Sequence, residues 1–186
     1  TLWACDFFTQ KVLTLNGWVD YYLILFVHLD TRRLFITPAT RHPTDEWMIQ
    51  QAKNFLIHIE EQGLQITHLI RDNDGKFTGG GLDAILESVG AEIVTTSLRA
   101  PNMNPYAERT IQSVQTESLD HFIVLGERHL NYLISEYLAY YHSERPHQSK
   151  GNMPLNVVAA GSSPNQPDSN SSDAPLRLKD IGCRQR

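Results

Sequence analysis

Ile66-Thr67-His68-Leu69-Ile70-Arg71-Asp72 reads as a short strand that ends on an acid, and Asn73-Asp74-Gly75-Lys76-Phe77 turns the chain away from it. Before this stretch lie three strand-like runs at residues 2–8, 19–29 and 33–38. The second is almost continuously apolar, as befits a strand buried on both faces. The short connections between the three predict an antiparallel meander. Thr44 then opens a helix with Asp45 and Glu46 in its first turn, where acids suit the helix dipole. Trp47, Met48, Phe55, Leu56 and Ile59 give that helix an apolar stripe, and Gly63 stops it. After the acid-ending strand, residues 82–89 read as a helix closed by Gly90 and residues 91–96 as a fifth strand. Residues 97–104 form a loop, Pro105 takes the first position of a long helix reaching about residue 123, and an amphipathic helix covers residues 127–142. The fold class is therefore α/β, a five-stranded mixed sheet with its first three strands antiparallel and helices flanking it.

The 186 residues are 41% hydrophobic and 20% charged, enough for one domain with a substantial core. That domain is expected over residues 1–160. A Ser/Pro/Asn-rich stretch at 161–175 reads as a disordered linker, and residues 176–186 as a truncated tail. The start at Thr1, directly in a strand, suggests an excised domain. Cys5 and Cys183 form no zinc or disulfide pattern, which fits a reducing, intracellular setting. The longest apolar run has strand length, so no membrane partner is expected. A net charge of −5 is low for a nucleic-acid binder, and weak DNA binding by this chain alone is the expectation.

Three acids carry the chemistry. Asp6 sits in the first strand, Asp72 ends the fourth, and Glu108 stands in the first turn of the long helix, with 35 residues between the last two. The predicted elements bring all three together. Two divalent ions about 3.5–4 Å apart can activate a nucleophile and stabilise a leaving oxygen at phosphorus. Hard ions such as Mg²⁺ or Mn²⁺ take carboxylate oxygens. In such a site Asp6 bridges the ions, while Asp72 and Glu108 each complete one of them. Asp74 is the alternative second acid, at a spacing of 33, or a supporting group beside the site.

Asp72-Asn73-Asp74-Gly75-Lys76-Phe77 resembles the box around the second acid of retroviral integrases and insertion-sequence transposases. Asn104-Pro105-Tyr106-Ala107-Glu108-Arg109 resembles the box around their third acid. Tyr140-Tyr141-His142-Ser143-Glu144-Arg145-Pro146-His147 is similar to the segment closing the core in many bacterial members. The usual second box has Gly two residues after its Asp, where this chain has Asp74, and that leaves the choice between Asp72 and Asp74 open. The resemblance implies a ribonuclease H-like catalytic core of the Asp-Asp-35-Glu superfamily, from a bacterial mobile element. It further implies cleavage and 3′-hydroxyl strand transfer with two Mg²⁺ or Mn²⁺ ions. The implied partners are element-end DNA, target DNA and a second copy of the chain, and the implied setting is the bacterial cytoplasm at the nucleoid. A nuclease on the same fold that only hydrolyses, and an inactive truncated copy, are the alternatives.

Around the acids, Gln112 and Gln115 share a helix face with Glu108 and are candidate DNA contacts. Arg99, Asn102, Asn104 and Arg109 are candidate phosphate contacts on the approach, with Arg145 and Lys150 further along. Tyr106 is expected to pack into the core. Cys5 is expected on the opposite face of its strand from Asp6. The eight histidines are expected to serve mainly as packing and surface groups.

Overall fold

The computed structural model describes residues 1–73, 77, 79–95 and 104–156. Its sheet has five strands: β1 (Leu2–Thr14), β2 (Gly17–His28), β3 (Leu34–Ile36), β4 (His68–Arg71) and β5 (Glu92–Thr95). They lie in the order β3-β2-β1-β4-β5. β3, β2 and β1 are mutually antiparallel, whereas β4 joins β1 in parallel and β5 joins β4 in parallel. The expected fold class is the one observed.

β1 and β2 run further than their apolar segments suggest. Their ladder extends from Trp3 opposite His28 to Thr14 opposite Gly17. The polar stretch Thr9-Gln10-Lys11 hides the continuation, yet Val12 is fully buried. Gly17, at φ 99°, supplies the left-handed residue that closes the hairpin.

Among the described residues, four α-helices flank the sheet: α1 (Asp45–Glu61), α2 (Gly81–Ser88), α3 (Pro105–Glu117) and α4 (Gly126–Ser143). The Thr44 hydroxyl accepts from the Trp47 amide and caps α1, as its sequence predicts. α3 is shorter than expected. It ends at Glu117 and gives way to a 3-10 turn at Leu119–His121. The break buries Leu119 and Val124, and the Val124 carbonyl then accepts from the Leu13 amide at 2.8 Å, tying the connection to β1.

Strand alternation divides the interior in two. Trp3, Cys5, Phe7, Ile24 and Phe26 face α1 and α2, where Phe55 stacks on Phe26 with ring centres 4.2 Å apart. Ala4, Phe8, Leu23 and Leu25 face α3 and α4, meeting Ala107, Ile111, Leu130 and Ile134. Cys5 is buried on the α1–α2 side, as expected. The segments expected as linker and tail lie outside the described residues.

Candidate active site

The site is built where the parallel strands end. Cys5 of β1 pairs with Arg71 of β4, so Asp6 and Asp72 stand one step beyond the same rung of neighbouring strands. Parity aims both toward α3. Ala4 and Phe8, on either side of Asp6, lie in the α3–α4 core, and Ile70 packs against that same core. Arg71 reverses toward α2, and the alternation carries Asp72 back. Asp6 is half-buried and Asp72 exposed. One oxygen of each accepts the following backbone N–H, from Phe7 at 2.7 Å and from Asn73 at 2.6 Å.

The strand end at Asp72 is anchored from behind. Arg71 is 8% exposed, and its guanidinium forks onto Asp83 of α2 at 3.0 and 2.6 Å. The same guanidinium donates to the Asp72 carbonyl at 3.0 Å and lies 4.9 Å over the Phe77 ring. Phe77 in turn packs on Phe7 at 4.7 Å. A buried fork of this kind fixes direction as well as charge. At the start of α2, Asp45 accepts from the Gly81 amide at 3.1 Å. Asp74, the alternative second acid, lies outside the described residues.

Glu108 is delivered by α3, and Asn104 sets where that helix begins. The Asn104 side-chain amide donates to the Cys5 carbonyl at 2.8 Å, next to Asp6, and the Asn104 carbonyl accepts from the Glu108 amide. Glu108 is thus one helical turn from an anchor on the strand that carries Asp6. Asn104 is 5% exposed. The side chain expected to meet DNA is instead used to hold α3 on β1. Its Oδ1 is buried and has no hydrogen-bond partner among the described residues.

The remaining candidates divide. Glu108, Arg109 and Gln112 are exposed, and Gln115 is partly so. Arg145 forks onto Glu117 at 2.8 and 2.6 Å, which holds the Glu117 carboxyl below its ordinary range. Lys150 is exposed in a 3-10 turn at Gln148–Lys150. Arg99 and Asn102 lie outside the described residues. Tyr106 corrects the expectation of core packing: it is 47% exposed, with the Arg32 guanidinium 4.9 Å over its ring. Pro105 at the first helical position turns this side chain outward while Ala107 takes the core position. Arg32 was not among the sequence candidates, because a lone Arg in a hairpin turn carries no motif.

Oxygen donors at Asp6, Asp72 and Glu108 are the chemistry a hard divalent cation takes. Among the described residues, no three His, Cys, Asp or Glu side chains are drawn together tightly enough to enclose an ion. Asp6 and Asp72 stand on neighbouring strands, and Glu108 stands in the first turn of α3.

Solved integrase and transposase catalytic domains share this architecture. Residues 89–154 match the family described as integrase core domain. A chain of the simian T-cell lymphotropic virus intasome is similar at 15% identity and a TM-score of 0.63, over 94% of this chain and 60% of that one. This chain thus spans less than two thirds of that viral protein. The HTLV-2 integrase catalytic core, solved with magnesium, is similar at 17% identity and a TM-score of 0.60, covering 82% of this chain and 91% of that one. The catalytic domain of the Mos1 mariner transposase is similar at 14% identity and a TM-score of 0.57, covering 74% and 69%. No curated protein sequence matches the chain. The fold is that of an integrase/transposase catalytic core, and residues 89–154 carry the integrase core domain pattern.

Proposed function

We propose that this chain is the catalytic domain of a bacterial DNA transposase or integrase, which cuts phosphodiester bonds at element ends and joins the freed 3′-hydroxyl to target DNA. The observation that carries the reading is the placement of Asp6 and Asp72 one step past a shared rung, with Glu108 one turn from Asn104's anchor on β1. The integrase core match over α3 and α4 supports it independently. Asp6, Asp72 and Glu108 would hold two Mg²⁺ or Mn²⁺ ions, which when bound supply activation of the attacking oxygen and stabilisation of the leaving one. Asp6, on β1, would be the acid common to both ions. Arg71 and Asn104 keep the second and third acids in place, and Gln112 on the Glu108 face contacts DNA beside the scissile phosphate.

The partners in this reading are element-end DNA, target DNA and a second copy of the chain. HTLV-2 integrase cores have been solved in trimeric and dimeric forms, which supports self-association as a property of the fold. No described helix is long and apolar enough to cross a membrane, and we place the activity in the cytoplasm, at the nucleoid.

The test is a joining assay with supercoiled plasmid, a labelled duplex bearing a 3′-hydroxyl, and Mn²⁺. Label should become covalently attached to plasmid with wild type. Asp6→Ala, Asp72→Ala and Glu108→Ala should each lower joining by a thousandfold or more, on the order of 4 kcal/mol. Nicking without joining would return the chain to the hydrolytic nucleases of this fold. Calorimetric Mn²⁺ titration of Asp72→Asn against Asp74→Asn decides the second acid: binding lost in the latter alone would move the site by two residues.

A further inference from the structure

The N-terminal half of α3 divides two depressions that meet at Tyr106 and Arg109. One, of about 600 Å³, includes Glu108 and Gln112. The other, of about 450 Å³, lies between α3 and the segment following α4, and Arg32, Ser113, Arg145 and His147 contribute to its wall. At 100° per residue, Glu108 and Gln112 flank the buried Ala107–Ile111–Val114 stripe on one side, and Tyr106, Thr110 and Ser113 flank it on the other. The second depression therefore lies across α3 from the acid.

Its charge is unlike that of the chain. In a protein of net charge −5, three guanidiniums converge on this cavity. Arg145 is neutralised by Glu117 and lies 5.3 Å over the Tyr141 ring. Arg32 and Arg109 make no ion pair among the described residues. Arg32 has φ 65°, a left-handed conformation that L side chains rarely adopt, and its amide donates to the His28 carbonyl at 2.9 Å to hold the turn. That turn sets its guanidinium 4.9 Å over the Tyr106 ring, in the wall of the cavity. His147 uses Nε2 on the Tyr141 carbonyl at 3.0 Å, and burial disfavours its charge, so it serves as a neutral wall. Two uncompensated guanidiniums around a space of this size call for an anion with several oxygens.

We propose that this cavity holds a backbone phosphate of DNA lying across α3, with Arg32 and Arg109 as its donors and Tyr106 as the platform that orients Arg32. The proposal rests on the strand-transfer reading above. One helix diameter, about 10 Å, separates the two flanks of α3, so the phosphate belongs to a nucleotide a few positions from the scissile bond. The cavity thus sets the register of the DNA on the acids and reads no bases.

The experiment measures binding of a fluorescein-labelled random duplex to the full chain by anisotropy across a salt series. Arg32→Gln should weaken binding roughly fivefold and lower the salt slope by about one phosphate contact. Arg32→Lys should restore most of the affinity, and Mn²⁺ binding by calorimetry should match wild type in both. If Arg32→Gln lowers the unfolding midpoint, Arg109→Gln, on the exposed side of α3, carries the same test. Unchanged affinity and slope in both Gln variants, with Mn²⁺ still bound, overturns the cavity and leaves the strand-transfer site standing. Wild type that binds neither duplex nor Mn²⁺ removes the underlying reading, and the cavity's role with it. Inorganic phosphate that binds at equal ionic strength without being displaced by duplex makes this a small-anion site, and also overturns the proposal.

Discussion

The two faces of the sheet are built to different ends. Toward α1 and α2, Trp3, Phe26, Phe35 and Phe55 pack ring against ring, and the charged pair that reaches in, Arg71 and Asp83, is closed on itself at 2.6 Å. Toward α3 and α4 the core is aliphatic and tyrosine-rich, and its margin carries Asp6, Glu108, Arg32, Arg109 and Arg145. β1 sorts the two residue by residue. The Cys5 thiol is sealed on the first face, where burial pushes its pKa up, and Asp6 opens on the second. A two-residue period lets one strand serve both a sealed aromatic core and a margin of charged side chains. The margin can then gather like charges because the core provides stability.

That division is broken most sharply by removing an acid. Asp6→Asn or Glu108→Gln should cost at least a thousandfold in joining yet leave the urea midpoint within about 1 kcal/mol of wild type, since neither supports the core. Phe55→Ala should do the reverse. Phe55 is fully buried among three aromatic neighbours, so its loss should cost about 4 kcal/mol in denaturant unfolding, with joining per folded molecule preserved. A Phe55→Ala chain that stays folded but cannot join strands would show that the two faces are coupled. Asn104→Ala sits on the boundary. It leaves the Cys5 carbonyl without its donor, a loss of about 1–3 kcal/mol, and frees the start of α3. Joining should fall ten- to a hundredfold through Glu108 misplacement, while calorimetric Mn²⁺ binding by Asp6 and Asp72 changes less. An equal fall in both would make Asn104 a stability residue alone.

Much of this was legible beforehand, for physical reasons. Continuous apolar character marked β2 as an interior strand, the Thr44-Asp45-Glu46 start fixed α1, and the candidate acids stood out by ending or opening elements. Other features were hidden. The far half of β1 alternates Gln10 and Lys11 with buried Val12, a pattern too polar to stand out. The end of α3 at Glu117 follows from tertiary demand, the burial of Leu119 and Val124, with no Gly or Pro to signal it. Asn104 and Tyr106 exchanged their expected places because a loop residue's burial depends on which carbonyl it meets. Arg32 meets α3 through Tyr106, which is distant in sequence.

The mildest test concerns how α4 holds the edge of the reactive face. His142 Nε2 accepts from the Leu34 amide at 3.0 Å, and the His142 carbonyl accepts from the Asn156 amide at 2.8 Å, so one residue ties β3 and the chain after α4 together. Accepting at Nε2 requires the neutral ring. Burial first, then the nearby Arg33 guanidinium and His58, push its pKa down to about 4 from 6.5. The unfolded chain therefore takes up this proton at higher pH than the folded one does. The contribution to stability is complete above about pH 6.5 and is lost as pH falls toward 4, by on the order of 2 kcal/mol after allowing for partial solvent access. Other groups titrate in the same window, among them His28, His58 and His147, which burial also holds low. Comparison with His142→Gln cancels them, since a glutamine carbonyl can accept the same amide without titrating. Urea midpoints at pH 7 and near pH 4.5 should converge for the two chains as acid removes the wild-type advantage. Parallel loss in both would assign the acid sensitivity to the other histidines and leave β3 held by its ladder to β2.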